Sequence, residues 1–186
     1  MRQARIKVGE DREVGYYHCI SRVVGGNFVF GDAERERFVA LMREYEEFCE
    51  VRVLTFCVMS NHFHVLLEVP KVPEEKPPAD KLLGKLRKLT GFQDVSAAEL
   101  ELDAIRQSKN TVAELKWCER YWARMWDVSA YMKILKQRFT QWFNRVQGRR
   151  GTLWEERFKS VLVDGAGEAL VTMAAYIDRM VEDPKP

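Results

Sequence analysis

The fold of this chain is decided by the stretch C-V-M-S-N-H-F-H-V-L-L-E-V, residues 57–69. Two apolar, β-rich runs, Val51 to Met59 and His62 to Val69, overlap this stretch and are separated by only two polar residues. That spacing predicts an antiparallel hairpin. Because side chains alternate across a strand, His62 and His64 project from the same face. The hairpin therefore presents two imidazoles on one side of a sheet.

The segments around this hairpin alternate between strand and helix patterns. A β-branched, aromatic run precedes it, and a second strand pattern follows much later, with helical periodicity between them. The predicted strands are Gly15–Val24 and Phe158–Asp164, and the predicted helices are Asp32–Glu50, a segment from Asp127 to about Gly148, and Glu168–Met180. Together with the hairpin they predict an α+β fold: a ferredoxin-like, split β-α-β-β-α-β antiparallel sheet with an appended C-terminal helix.

Residues 70–128 interrupt this order and predict a helical insertion. Closely spaced prolines open the segment, and they deny both helix and strand. Three helical patterns follow, of which the last runs from Val112 to Trp126 and is rich in aromatic residues. Packing of the insertion onto the main domain is the favoured interpretation of these aromatics, with base stacking as the alternative.

Composition bounds the class of protein. With 186 residues, 46% apolar and 31% charged, the chain fits a single domain, residues 1–186, of a soluble globular protein. No window is apolar enough to cross a bilayer, and the N-terminus lacks the apolar core of a signal peptide, so we expect a cytoplasmic protein without a membrane partner. The four cysteines form no C-x-x-C pair, which favours buried thiols over a zinc site or disulfides.

An isolated H-x-H pattern is weak evidence for a metal. Neutral imidazole binds many divalent cations, so the spacing of His62 and His64 names none of them. A pair of surface or hydrogen-bonded histidines at the mouth of a hairpin is the simpler alternative.

Four blocks together make a more specific pattern. They are M-S-N-H-F-H-V-L-L-E (59–68), Q-R-F-T-Q-W-F-N-R (137–145), G-T-L-W-E-E-R-F-K-S (151–160) and A-A-Y-I-D (174–178). In this order they resemble the REP-associated tyrosine transposases of the HUH single-stranded DNA nuclease superfamily. The resemblance implies a metal-dependent endonuclease and strand transferase that binds Mg²⁺ or Mn²⁺ through His62 and His64. It further implies that Tyr176 attacks single-stranded DNA at hairpin-forming repeats to give a 5′-phosphotyrosine, in a monomer or a homodimer.

The stretch from Lys133 to Lys159 has eight Lys and Arg residues against two glutamates, which predicts a surface that contacts DNA phosphates. A solvated charged face is the alternative interpretation. Trp154 either stacks on a base or holds its loop in place. The candidate DNA-binding residues are Arg138, Arg145, Arg149, Arg150, Trp154, Arg157 and Lys159.

The chain departs from the family pattern after the tyrosine. Where the family continues Y-I-D/E-L-N-P-V-R-A, this chain has Y-I-D-R-M-V-E-D-P, so Met180 stands where an asparagine helps to complete the metal site. A thioether is a poor ligand for a hard cation. Asp178 or Glu182 is a substitute ligand, or catalysis is impaired.

Two other functions remain open at this stage. The first is a domesticated, catalytically impaired DNA-binding protein of the same fold. The second is a metal-dependent hydrolase with a water nucleophile, which would keep the histidines and dispense with Tyr176.

Overall fold

The protein is described by a computed structural model that covers residues 12–89, 95–165 and 167–182. Its centre is a four-stranded antiparallel sheet with the order β2-β3-β1-β4. The strands are β1 (Val14–Arg22), β2 (Arg52–Val58), β3 (His62–Pro70) and β4 (Lys159–Val163). β2 and β3 form the hairpin that the sequence predicts, and β1 lies between β3 and β4.

In the described ranges, six α-helices connect and cover these strands. They are α1 (Asp32–Cys49), α2 (Ala79–Lys88), α3 (Val95–Gln107), α4 (Thr111–Trp122), α5 (Val128–Val146) and α6 (Gly167–Glu182). Without α2, α3 and α4 the order is β1-α1-β2-β3-α5-β4, followed by α6. This order and the strand arrangement confirm the predicted split β-α-β-β-α-β fold.

The two faces of the sheet are covered by different helices. On one face, Phe38 of α1, Phe63 of β3 and Phe139 of α5 are fully buried in the main core. Burial of a phenylalanine side chain contributes roughly 1.5–3 kcal/mol, so this aromatic layer fixes α1 and α5 on the sheet. On the other face, Leu66 of β3 packs with Ile177 of α6 in a smaller apolar cluster. The histidine face is therefore the face that α6 covers only in part.

The aromatic residues of α4 pack inward, as the favoured interpretation of the sequence expects. Trp117 is 1% exposed, and the Trp122 Nε1–H donates to the Pro77 carbonyl oxygen at 3.0 Å. The helix ends at Trp122 and not at Trp126 as predicted. Trp126 adopts a left-handed backbone conformation and its N–H donates to the Cys49 carbonyl, so the chain turns there before α5 begins. Whether residues 70–128 form a separable insertion stays a prediction.

Among the helices in the described part of the chain, none has the length and apolar content needed to cross a membrane.

Candidate functional site

All three histidines of the chain meet on the face of the sheet that carries α6. The sequence contains only His18, His62 and His64. The antiparallel register of β1 with β3 places Ile20 opposite His64 and Arg22 opposite His62. His18 lies two residues from Ile20, so its ring reaches His64 diagonally across the two strands. The His18 and His64 side chains are buried, and His18 Nε2 lies 2.9 Å from His64 Nδ1.

His62 is held by a neighbour on the hairpin turn. Its Nδ1 lies 2.6 Å from Asn61 Oδ1. Asn61 is itself fixed, because its side-chain Nδ2 donates to the Gly26 carbonyl and its own carbonyl accepts from the Val23 N–H at 2.9 Å. The turn that carries His62 is thus attached to the loop that follows β1.

The environment keeps the three imidazoles neutral at pH 7. Burial lowers the pKa of His18 below its usual value, and burial together with the positive charge of Arg22 lowers the pKa of His62. Burial lowers the pKa of His64 to about 4, with smaller effects from His18, His62 and Arg22. Neutral imidazole is the form that binds metal ions, so the site is poised for ligation.

Tyr176 lies over this cluster. Its ring centroid is 6.4 Å from that of His18 and 6.4 Å from that of His64. The side chain is 50% exposed, and it lines an open groove of about 880 Å³ between β4 and α6 together with Val161 and Thr172. The phenol is therefore close to the histidines and accessible from solvent.

The residues present fit a divalent cation that takes nitrogen ligands. The His62 and His64 ring centroids are 5.2 Å apart with the rings at 61° to one another, which allows both imidazoles to face one ion. Within the described ranges no group of three or more His, Cys, Asp or Glu residues has the spacing of a metal site. Two imidazoles are fewer ligands than a divalent cation takes, so a cation held here would need further donors.

The substitute ligands Asp178 and Glu182 stay predictions, and the structure describes the surroundings of Asp178 alone. Asp178 accepts a hydrogen bond from Thr55 Oγ1 on β2 and does not join the histidines in a metal cluster. Met180 packs against the apolar cluster that contains Ile177. Glu182 is the last residue of α6, and its side chain lies outside the described part of the structure.

The predicted DNA-binding residues divide into separate groups. Arg138 on α5 interacts with Tyr45 of α1, on the sheet face opposite the histidines. Arg145 and Arg150 are exposed near the end of α5, and Arg149 donates to the Thr152 carbonyl. A further two residues, Arg157 and Lys159, are exposed at the start of β4. Lys159 pairs with Ile20 of β1, which places it on the histidine face.

Trp154 is only 8% exposed and packs among Phe30, Phe63 and Phe139. Its indole N–H lies 2.9 Å from Thr140 Oγ1 and 3.1 Å from the Lys136 carbonyl on α5. These contacts favour the alternative in which the tryptophan holds its loop in place, since little of the ring is left for a base.

Sequence reasoning missed three members of the site: His18, Arg22 and Asn61. His18 stands in the predicted first strand with no local motif around it. The available signal was strand alternation, because the ferredoxin-like order puts β1 beside β3 and residues 18, 20 and 22 share one face. Asn61 lies inside the M-S-N-H-F-H block, but the sequence assigned no role to it.

The fold and these residues define a class: an α+β protein with a histidine cluster and an accessible tyrosine on the open face of its sheet. The family described as transposase IS200-like matches residues 12–76, which include β1, α1, β2 and β3. No curated protein matches the sequence at a significant level.

Two solved structures are similar over nearly the whole chain. A REP-associated tyrosine transposase, solved with a REP hairpin bound, superposes with a TM-score of 0.53 at 10% identity, covering 95% of this chain and 70% of the other. A transposase-like protein from Deinococcus radiodurans has a TM-score of 0.44 at 15% identity, with 96% of this chain and 97% of the other covered. The first of these confirms the fold class.

The chain is thus similar in fold to a REP-associated tyrosine transposase, in agreement with the predicted resemblance. The IS200-like match supports a transposase-type protein that processes DNA. The chemistry that its own residues perform is a separate question.

Proposed function

We propose that this protein is a metal-dependent, single-stranded DNA endonuclease and strand transferase whose nucleophile is Tyr176. The observation that carries the proposal is the position of the half-exposed Tyr176 phenol. Its ring centroid lies 6.4 Å from those of the buried His18 and His64. A tyrosine that served only to pack α6 would be expected to face the apolar cluster around Ile177 and not an open groove.

The reaction is a transesterification at phosphorus. The Tyr176 Oη attacks the scissile phosphodiester and loses its proton, and the bond from phosphorus to the 3′ oxygen breaks. That oxygen takes up a proton and leaves as a 3′-hydroxyl, while the 5′ phosphate stays on the tyrosine. Because one phosphodiester replaces another, a 3′-hydroxyl of a second strand can reverse the step and complete strand transfer without a nucleotide cofactor.

His62 and His64 would hold the cation, and burial lowers the pKa of both, which favours the neutral form that binds metal. A bound Mn²⁺ or Mg²⁺ would neutralise charge that develops on the scissile phosphate and favour ionisation of a phenol with a usual pKa of about 10. Burial of His64 and partial burial of His62 limit access of water to their rings. α6 positions the phenol above them.

Cations on the histidine face are the best candidates for contacts to the DNA backbone at the cleavage point. Arg22 lies opposite His62, and Lys159 lies at the start of β4 on the same face. Arg145, Arg150 and Arg157 are exposed and could extend the contact along a strand. We propose hairpin-forming repeat DNA as the substrate, by similarity to the transposase that was solved with a REP hairpin.

The experiment that tests this function detects the covalent bond between Tyr176 and the DNA. A hairpin DNA with a single-stranded flank is labelled at its 3′ end or its 5′ end, incubated with protein and Mn²⁺ or Mg²⁺, and run on a denaturing gel. We expect the 3′-labelled fragment to migrate as a protease-sensitive adduct and the 5′-labelled fragment to end in a free 3′-hydroxyl.

The matched variants are Tyr176→Phe and Tyr16→Phe. Each removes one hydroxyl group, and Tyr16 is packed against the same apolar cluster beneath α6. We expect Tyr176→Phe and His64→Ala to give no adduct and Tyr16→Phe to give the wild-type amount. Cleavage that persists without an adduct in Tyr176→Phe would instead identify a hydrolase with a water nucleophile.

One observation favours a second candidate function, a catalytically impaired DNA-binding protein. Met180 stands at the position where the family has an asparagine. It packs against apolar side chains and supplies no oxygen ligand. Such a protein would bind hairpin DNA through the same cations with unchanged affinity in the presence of EDTA. Binding without any adduct in either metal would favour this candidate over the nuclease.

A further inference from the structure

The histidine pair is held at its Nδ1 atoms by two residues from different parts of the fold. His62 Nδ1 contacts Asn61 Oδ1 at 2.6 Å, and His64 Nδ1 contacts His18 Nε2 at 2.9 Å. In both rings the atom left without a protein partner in the described structure is therefore Nε2.

The proton position of His62 follows from the chemistry of Asn61. The Asn61 Nδ2 donates to the Gly26 carbonyl, which fixes the side-chain amide so that Oδ1 faces the imidazole. An amide oxygen only accepts, so the proton of a neutral His62 must be on Nδ1. The Nε2 of His62 then carries a free lone pair, which is what a metal ion requires.

The contact between His18 and His64 has two proton arrangements. If His18 Nε2 donates, His64 keeps its own proton on Nε2 and cannot bind a cation through that atom. If His64 Nδ1 donates, His18 Nε2 accepts and the His64 Nε2 lone pair is free. The ring centroids are 5.1 Å apart with the ring planes at 25°, and both side chains are buried, so water does not compete well for this hydrogen bond.

We propose that Asn61 and His18 are positioning residues that accept hydrogen bonds from the Nδ1 atoms of His62 and His64 and so direct both Nε2 lone pairs toward a divalent cation. This inference rests on the divalent cation of the proposed function and is independent of the proposed DNA cleavage. Asn61 lies in the hairpin turn, which is hydrogen-bonded to the loop after β1, and His18 lies in β1 itself. Both β1 and the loop that follows it therefore set the geometry of the site. Partners of this kind usually change metal affinity about 10- to 100-fold when they are removed.

The first test reads the tautomers directly in metal-free protein. Long-range ¹H–¹⁵N correlation spectra at about pH 8, above the usual imidazole pKa of about 6.5, distinguish protonated from unprotonated ring nitrogens. We expect His62 and His64 to carry their protons on Nδ1 and His18 to have an unprotonated Nε2. A wild-type spectrum in which His62 or His64 is protonated on Nε2 overturns the proposal.

The second test measures Mn²⁺ affinity of the whole chain by calorimetry. Asn61→Leu and His18→Leu remove the acceptors, and we expect the Kd for Mn²⁺ to rise about 10- to 100-fold. Asn61→Asp and His18→Gln retain an acceptor oxygen and should restore most of the affinity. Asn27→Ala is the matched control, because Asn27 braces the same loop through the Val24 carbonyl without touching a histidine. Equal loss in Asn61→Leu and Asn27→Ala would assign Asn61 to the loop alone.

These readouts separate the inference from the proposed function. Tautomers and Mn²⁺ affinity are measured without DNA, so the expected pattern together with no adduct would uphold the positioning roles and reject the nuclease. The opposite result is also distinguishable. If wild type forms the adduct but Asn61→Leu and His18→Leu bind Mn²⁺ like the wild type, the nuclease is upheld and the positioning roles are rejected.

Discussion

Arg22 adds a positive charge to the histidine face, next to the residue pair proposed to hold the cation. It lies opposite His62 in the β1–β3 register, its side chain is exposed, and its charge lowers the pKa values of His62 and His64. A guanidinium in this position can donate two parallel hydrogen bonds to two oxygens of one phosphate. Arg22 is therefore expected to contact DNA close to the cleaved bond.

We predict that Arg22→Gln weakens binding of single-stranded hairpin DNA and lowers the yield of adduct. Loss of one phosphate contact should reduce the slope of log Kd against log salt concentration by about 0.7. The measurement is fluorescence anisotropy at several salt concentrations. The control is Lys116→Gln, which removes an exposed charge from α4, outside the sheet. Equal slopes for wild type and Arg22→Gln would contradict a phosphate contact.

At the residue scale, sequence identified three site residues that lie in motifs, and it missed His18 and Arg22, whose place in the site depends on pairing between strands. His62, His64 and Tyr176 lie in contiguous blocks, and strand alternation alone puts the two histidines on one face. His18 joins them only through the register of two strands separated by 46 positions. Such a register follows from the packing of the whole sheet, so a single strand pattern could not supply it.

At the element scale, the position of Tyr176 depends on how α6 leaves the sheet. Gly165 lies between β4 and α6, and a Cβ atom built on it would come within 2.8 Å of the Tyr16 ring. Gly167, at the start of α6, has nothing within 4 Å of the equivalent atom. The two glycines therefore form a matched pair for testing this connection.

We predict that Gly165→Ala destabilises the protein by about 1–3 kcal/mol, because the Tyr16 ring or the chain must move. Gly167→Ala should change stability by no more than about 0.5 kcal/mol. Urea unfolding measures both, and adduct yield reports on whether α6 still presents Tyr176. If the two variants unfold at the same urea concentration, the close approach of Gly165 to Tyr16 does not constrain the fold.

The local sequence pattern was sufficient to predict where most of the strands and helices begin and end. The strands and helices of the sheet domain agree with prediction to within a few residues, since each has a clear period and a turn signal at its ends. The end of α4 differs because a backbone hydrogen bond from Trp126 to Cys49, a residue of α1, overrides a helical pattern. A contact so distant in sequence leaves no trace in local periodicity.

At the scale of the whole molecule, the free energy of unfolding is expected to depend on pH because all three histidines lie in one cluster. The pKa values of His18, His62 and His64 are all below the usual value in the folded protein, and that of His64 is about 4. In the unfolded chain each imidazole takes up a proton near pH 6.5. Below that pH the unfolded state binds more protons than the folded state, so acid favours unfolding.

We predict that metal-free protein loses stability as the pH falls from 7 to 5, with about 1–2 kcal/mol of the loss due to His64 after allowance for solvent screening. Most carboxylates titrate below this window, so the slope belongs mainly to the histidines. Urea unfolding in EDTA at pH 7, 6 and 5 measures it, and His64→Gln should give a shallower dependence than wild type. Parallel curves would mean that His64 is protonated as easily in the folded protein as in the unfolded chain. Burial disfavours the charged form of the His64 ring, so wild type is expected to show the steeper loss.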